Sequence, residues 1–258
     1  KLVVFLALFL PGAWLAAQWW AGALGPEPLK EAIHEAGLWA VRLTLVALAV
    51  TPLRFVAAWP RVLLLRRMLG LAALAYALLH LGLFAADQGF DPWRVAREIA
   101  LRIYLTIGFV TLAGLGVLGW TSTDGWMRRL GTAWGRLHRL IYLIAALALF
   151  HFFLQSKADV SEAVLTAGLF LWLMLWRAQP MAWRGRLWPL PGLAPLAAAA
   201  TAAVEYAWYA LATNLPAERV LAANLDLTFG PRPAVWVGIA GLGVAALGLA
   251  RRVTLRRR

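Results

Sequence analysis

The sequence predicts an all-α protein, a polytopic bundle of transmembrane helices, and three observations support this fold class. Hydrophobic residues make up 62% of the 258 residues, compared with roughly 45–50% in a soluble domain. They are concentrated in eight apolar runs, and a membrane-spanning helix needs about 20 such residues. Basic residues are grouped between the runs. Because lipid offers the backbone no hydrogen bonds, long runs of this kind predict helices.

The eight runs follow one another with short polar connections. The first, at residues 2–24, is longer than the apolar stretch of about 7–15 residues in a signal peptide, which favours a retained span over a cleaved signal. A polar loop that contains His34 follows, and a solvated histidine is the simplest interpretation there. The other spans are predicted at residues 38–56, 68–86, 104–120, 137–154, 163–176, 193–212 and 234–250.

The charges between the spans predict their orientation. Assigning alternate connections to alternate sides places Lys1 and most arginines on one side, opposed by Asp124, and nearly all other acids on the other side. The positive-inside rule then puts both termini in the cytoplasm. The net charge of +13 therefore indicates membrane topology and contact with membrane lipid, not nucleic-acid binding. The sequence has no cysteine, which excludes disulfides, iron–sulfur clusters and thiolate-ligated haem.

Two histidines are expected at the same depth in the membrane. His80 lies 14 residues after Arg66, and His151 lies 15 residues after Arg136, on two spans that run in the same direction. At 1.5 Å per residue, each lies about 20 Å along its helix. Imidazole is an ordinary ligand of haem iron, so the pair predicts one haem held from opposite sides. Polar bonding between helices is the alternative role.

His138 is expected to be separate from this pair. If residues 137–154 form one helix, His138 lies about 19 Å and about 140° around the helix from His151, so the two cannot share an iron. The same distance argues against a zinc or copper site built from three histidines. Two interpretations stay open: His138 binds a second cofactor near the cytoplasmic face, or it is an interfacial histidine beside Arg136 and Arg139.

Four other charged residues are candidates for cofactor binding. Arg97, Arg102 and Lys157 are expected near the outer end of the histidine pair, where they would meet haem propionates, with solvated charge as the alternative. Glu205 lies in the seventh span, where a carboxyl is costly enough to suggest quinone binding or proton uptake. Packing as a protonated or interfacial group is the alternative for Glu205.

Several sequence motifs occur together in one region. They are VTPLR at 50–54, RRMLGL at 66–71, YALLH at 76–80, DQGF at 87–90, TST at 121–123 and LHRLIY at 137–142. Their combination, over about residues 11–176, closely resembles the MsrQ family, also called YedZ, the haem-binding membrane subunits of bacterial MsrPQ methionine sulfoxide reductase systems. One departure is RIY at 102–104, where the family commonly has Arg-Pro-Tyr, which alters a helix start but no ligand.

The resemblance implies both a fold and a function. Residues 1–180 would form a six-helix ferric-reductase-like core that carries haem b, and residues 181–258 an extension with two further transmembrane helices. The haem-associated histidines of the family correspond to His80, His138 and His151. The chain would be an electron-transfer subunit in the bacterial inner membrane. It would receive electrons from the quinone pool or a flavin, FMN in some members, and pass them to MsrP, a periplasmic molybdopterin enzyme that reduces methionine sulfoxide in oxidised proteins.

The inner site is expected to differ from that of the wider group of ferric reductases and NADPH oxidases, which stacks two haems between histidine pairs. Arg66 stands where the inner ligand would be, and a protonated guanidinium is a poor iron ligand. Either His138 holds a five-coordinate haem, or an anionic flavin or quinone headgroup lies near Arg66, Arg67 and Arg139. The convergence of cations favours the second interpretation.

Two other functions are less consistent with the sequence. A ferric or cupric reductase normally carries a nucleotide-binding flavin domain, and no polar stretch of the sequence is long enough to form one. A cofactor-free transporter or structural membrane subunit is the other alternative, but repeat-related helices broken by glycine or proline are not evident.

Overall fold

A computed structural model describes residues 1–156, 159–228 and 230–256. Every regular element among these residues is a helix, which confirms the predicted fold class. Seven helical segments in the described part are long and apolar enough to cross a membrane. The chain divides into two compact units.

The first unit comprises Lys1–Ala47 and Leu64–Gln155. Its helices are α1 (Leu2–Ala7), α2 (Leu10–Trp20), α3 (Pro28–Val56, which contributes residues to both units), α4 (Arg66–Asp87), α5 (Pro92–Leu101), α6 (Ile103–Trp120), α7 (Asp124–Leu130), α8 (Thr132–His138) and α9 (Ile141–Gln155). Helix α6 packs against α4 and α9. Leu115, Leu118 and Ile144 form a buried apolar cluster between α6 and α9.

The second unit comprises Leu48–Leu63 and Ser156–Arg258. It contains α10 (Ser161–Ala178), α11 (Leu190–Ala212), α12 (Ala217–Ala222) and α13 (Pro233–Arg256). Helices α10, α11 and α13 pack on one another, and α11 buries the small residues Ala194, Ala197 and Ala202. Small side chains let helix backbones approach closely, which is how membrane helices associate.

The first predicted span is two helices. Pro11, near the start of α2, has no N–H to donate, and α1 ends at Ala7. The Tyr76 hydroxyl of α4 accepts a hydrogen bond from the Gly12 N–H (2.8 Å) and donates one to the Leu8 carbonyl (2.9 Å). In a continuous α-helix these two backbone groups would bond to each other. Tyr76 therefore bridges the break from outside the helix.

The fifth predicted span is also divided, and this changes the geometry expected for His138. Helix α8 ends at His138, a turn covers Arg139 and Leu140, and α9 begins at Ile141. The assumption of one continuous helix from His138 to His151 is therefore wrong. Gly131, with φ of +50°, separates α8 from the preceding α7.

Two predicted polar loops contain helix instead. Helix α3 begins at Pro28, so His34 lies on a helix and not in a loop. The connection after α4 contains α5, which begins where the Asp91 carboxylate accepts hydrogen bonds from the N–H groups of Trp93 (2.9 Å) and Arg94 (3.2 Å). An aspartate cap of this kind stabilises a helix start.

The C-terminal extension is helical as expected. Helix α13 corresponds to the predicted eighth span and is among the seven segments that can cross a membrane. Helix α11, the predicted seventh span, has 23 residues but is not among those seven, so its membrane crossing stays a prediction. The predicted domain boundary at residue 180 and the cytoplasmic location of both termini also stay predictions.

Candidate functional site

The first unit brings His80 of α4 and His151 of α9 together. Their ring centroids are 6.3 Å apart, and the ring planes are inclined at 82°. Both side chains are partly buried. This separation shows that the two residues lie close together on two helices, whereas their equal depth in the membrane and their role as ligands stay predictions.

Each of these rings is oriented by one hydrogen bond. Nδ1 of His80 lies 2.7 Å from the Ile33 carbonyl oxygen of α3, and Nδ1 of His151 lies 2.7 Å from the Tyr104 carbonyl oxygen of α6. A carbonyl oxygen can only accept, so both Nδ1 atoms carry the hydrogen. In a neutral imidazole the lone pair is then on Nε2, the nitrogen available to a metal.

The separation of the two rings suits a single metal ion between them. With a metal–imidazole bond of about 2.0–2.1 Å, as for zinc, and a ring nitrogen about 1.2 Å from its ring centre, opposite ligands have centroids roughly 6.5 Å apart. The observed 6.3 Å matches this value. Among the described residues there is no cluster of three or more His, Asp or Glu side chains that could hold a metal ion. Two histidines suffice for haem iron, since the porphyrin supplies the other ligands.

His138 is held differently. Its Nδ1 lies 3.1 Å from the Trp134 carbonyl oxygen, and its Nε2 lies 3.2 Å from the Leu118 carbonyl oxygen and 3.4 Å from Ser122 Oγ. The ring stacks on Trp134 at 3.9 Å between centroids. Both ring nitrogens are thus within hydrogen-bond distance of protein oxygens. This arrangement resembles the interfacial alternative more than a ligand, and the assignment of His138 to a second cofactor stays a prediction.

The cations expected around an inner anionic headgroup are exposed. Arg66 and Arg67 begin α4, and Arg139 follows α8. Nη1 of Arg67 lies 2.7 Å from Oδ1 of Asp124 in an ion pair. Part of the predicted cluster's charge is therefore already balanced by Asp124.

The cations expected near haem propionates have different surroundings. Arg102, between α5 and α6, donates a hydrogen bond to the Tyr104 hydroxyl (3.0 Å) and pairs with Glu98 (2.7 Å). The hydrogen bond to Tyr104, followed by attraction to Tyr104 and Glu98, raises the pKa of the Arg102 guanidinium. Arg97 is exposed on α5, and Lys157 lies outside the described residues.

Comparisons with known proteins bear on this arrangement. Residues 36–149 match the family described as the ferric reductase like transmembrane component. The chain is 42% identical over 186 residues to the protein-methionine-sulfoxide reductase heme-binding subunit MsrQ of Caulobacter vibrioides, which covers 71% of this chain and 87% of the relative. It is 44% identical over 184 residues to the MsrQ protein of Xanthomonas axonopodis pv. citri, covering 69% of this chain and 84% of the relative. The chain belongs to the MsrQ family. No solved structure matches it.

Membership of the MsrQ family agrees with the membrane architecture. Seven segments that can cross a membrane, in a family with a transmembrane component, make this chain a multi-pass membrane protein. The relatives are described as heme-binding subunits. The match to the ferric-reductase-like family includes His80 and His138 and ends two residues before His151.

Glu205, a candidate from the sequence, lies in the second unit of this MsrQ-family chain and is not a lone carboxyl. It is 1% exposed, and its Oε1 lies 2.5 Å from Nη2 of Arg232. Its Oε2 accepts a hydrogen bond from Nδ2 of Asn224 at 3.1 Å. These contacts support the packing alternative, and a role in quinone binding or proton uptake stays a prediction.

Sequence reasoning missed both partners of Glu205. Arg232 precedes α13 in a connection that also contains Glu218, Arg219 and Asp226, and nothing in the sequence marks it as the partner of Glu205. Asn224 lies in a short 3₁₀ helix, Ala223–Leu225, for which the sequence offered no signal.

An apolar groove of about 760 Å³ runs between α4 and the first two helices. Phe5, Phe9, Leu71 and Ala75 are among its lining residues, together with ten others that include Lys1, Arg67 and Tyr76. Its volume is in the range of sites for small organic ligands, about 300–1,000 Å³. The groove combines apolar walls with two cationic side chains.

Proposed function

We propose that this protein binds haem b through His80 and His151 and passes electrons across the bacterial inner membrane to a periplasmic molybdopterin methionine sulfoxide reductase of the MsrP type. The observation that carries the proposal is the histidine pair, 6.3 Å apart with each Nδ1 bonded to a backbone carbonyl. The heme-binding names of the relatives support the cofactor.

The two histidines would perform one structural task each. His80 from α4 and His151 from α9 would direct Nε2 to opposite sides of the iron. When bound, haem supplies reversible one-electron chemistry. Haem held by both histidines would suit electron transfer better than oxygen activation, because two protein ligands would leave no iron position for a substrate. The carbonyls of Ile33 and Tyr104 would keep the two rings in the tautomer that ligation requires.

The electron donor is proposed to be a quinol or a reduced flavin on the cytoplasmic side. The apolar groove beside α4, with Lys1 and Arg67 in its lining, supports an amphiphilic donor with a polar head. Bound FMN is the alternative, with its phosphate near Arg66, Arg67 and Arg139. Arginine favours phosphate because it can donate two parallel hydrogen bonds.

The absorption spectrum of the detergent-purified protein tests the cofactor. We expect one low-spin haem b per chain, with a sharp α band after reduction by dithionite. Extraction and chromatography would count haem, FMN and quinone per chain. A preparation without haem, or with only five-coordinate haem, would contradict the histidine-pair assignment.

Electron delivery tests the partner separately. The dithionite-reduced protein, freed of excess reductant, is mixed with a purified MsrP-type reductase and a methionine sulfoxide peptide. We expect the α band to decay partly with the reductase alone and completely only when the peptide is also present, since each sulfoxide consumes two electrons. A reduced spectrum that persists with both would leave the haem site intact but would refute the partner.

A further inference from the structure

The two candidate ligands use the same device on two different helices. The Ile33 carbonyl, which faces His80, lies four residues before Gly37 on α3. The Tyr104 carbonyl, which faces His151, lies four residues before Gly108 on α6. In an α-helix the N–H of residue i+4 bonds to the carbonyl of residue i, so each carbonyl is shared between a glycine N–H and an imidazole N–H. A carbonyl oxygen has two lone pairs and can accept both.

The glycines supply the space for this shared acceptor. A Cβ atom on Gly37 would lie 2.8 Å from Nδ1 and 3.0 Å from Cε1 of His80, and one on Gly108 would lie 2.8 Å from Cε1, 2.9 Å from Nδ1 and 3.1 Å from Nε2 of His151. A helical side chain points back over the preceding turn, so a Cβ atom at i+4 would lie beside the carbonyl at i. Both contacts are with imidazole rings, which are rigid, so the whole ring would have to move to make room for the Cβ atom.

Other glycines of α6 do not share this arrangement. A Cβ on Gly114 would meet only the side chain of Ile144, at 2.9 Å from Cδ1, and a Cβ on Gly116 would meet nothing within 4 Å. At both histidines of the pair, the ring bonds to a carbonyl that lies four residues before a glycine.

We propose that Gly37 and Gly108 are positioning residues for the haem ligands: each uncovers a helix carbonyl so that the imidazole can donate Nδ1–H to it and direct Nε2 to the iron. This inference rests on the proposed function. A ligand that donates through Nδ1 is a stronger base at Nε2, which stabilises the oxidised iron. Loss of the hydrogen bond therefore raises the midpoint potential and loosens the ligand.

Alanine substitutions test the proposal in the full-length purified protein. For Gly37→Ala and Gly108→Ala we expect a midpoint potential more positive than in the unmodified protein, and haem transfer to apomyoglobin faster by about 10–100-fold. Gly116→Ala, on the same helix as Gly108 and with nothing within 4 Å of the added Cβ, is the control and should match the unmodified protein in both measurements. If Gly37→Ala and Gly108→Ala also match it, the proposal is overturned.

A second experiment avoids dependence on the folding of the alanine variants. In His80→Gly, added imidazole can replace the missing ring, and it retains an N–H for the Ile33 carbonyl, whereas 1-methylimidazole does not. We expect imidazole to restore the low-spin spectrum at a concentration several-fold lower than 1-methylimidazole. Equal effectiveness of the two compounds would overturn the proposal.

The outcomes separate this proposal from the proposed function. If the unmodified protein holds no low-spin haem, the function itself fails, and the glycine proposal fails with it. If the unmodified protein holds low-spin haem but the glycine variants behave like their control, only the positioning role is refuted.

Discussion

The His80–His151 pair of the first unit and the Glu205 carboxylate of the second unit are bonded in different ways. In the first, His80 and His151 each bond one ring nitrogen to a backbone carbonyl and leave Nε2 with no hydrogen-bond partner in the described part of the chain. In the second, the Glu205 carboxylate is bonded by Arg232 on one oxygen and by Asn224 on the other. A neutral imidazole with a free Nε2 can still bind a metal, whereas a carboxylate bonded on both oxygens already uses that capacity in packing.

His138 differs from the pair, although it lies in the first unit, because protein atoms lie against both of its ring nitrogens. Both of its nitrogens face protein oxygens, and Trp134 covers one face of the ring. The contacts of the ring nitrogens thus separate His138 from His80 and His151, three histidines that the family resemblance alone had placed together.

The largest expected effect separates the histidines. His80→Ala and His151→Ala should each abolish the low-spin haem signal, because each would remove one of the two proposed haem ligands, while His138→Ala should retain it. Reduced-minus-oxidised spectra of the purified variants measure this. His34→Ala, which changes the exposed fourth histidine, is the control. Loss of the low-spin signal in His138→Ala would show that His138 also holds the haem.

The next effect concerns the buried ion pair. Removing one partner of a buried pair costs about 3–5 kcal/mol. Arg232→Ala should be near that range because it leaves a carboxylate that is 1% exposed, and Glu205→Ala should cost less because Arg232 is 29% exposed and can reach solvent. Thermal unfolding in detergent measures both, and the haem spectrum should not change. Unchanged stability combined with lost reduction by quinol would instead assign Glu205 a functional role.

A smaller effect is expected at Tyr76, a fully bonded polar group in the first unit. Tyr76→Phe removes the hydroxyl between the Gly12 N–H and the Leu8 carbonyl and should cost about 1–2 kcal/mol. Hydrogen exchange should become faster at the start of α2 and stay unchanged in α9. A change in the haem spectrum would show that the Tyr76 hydroxyl also affects the proposed haem site.

The smallest effect is expected for the exposed pair of Arg67 and Asp124. The side chains of Arg67 and Asp124 are 48% and 73% exposed. Exposed ion pairs contribute about 0.2–1 kcal/mol to the free energy of unfolding. Asp124→Asn should therefore leave the unfolding temperature nearly unchanged and reduce any difference between low and high salt. A large loss of stability would mean that the Arg67–Asp124 ion pair contributes more than its exposure indicates.

The sequence was sufficient for the fold class and for the approach of His80 to His151. Apolar runs mark helices, and the arginines at their ends fix how deep each histidine lies, so two residues far apart in the chain could be placed at one level. It was not sufficient for the division of α8 from α9, because the turn at Arg139 and Leu140 contains neither proline nor glycine. Nor could it pair Glu205 with Arg232, which depends on how α11 packs against α13. The spatial relation of Gly37 to His80 likewise requires the packed helices.

The hydrogen bonds of the histidine pair also bear on how the protein is assembled. His80 is carried by α4 and bonded to α3, and His151 is carried by α9 and bonded to α6. An iron held between the rings would join these two helix pairs into one cross-linked group of four. Because a ligand that binds only the folded form stabilises it, the cofactor would lock the helices after their insertion into the bilayer. Cells short of haem should then accumulate less of the protein, through turnover of chains whose helices have not been joined.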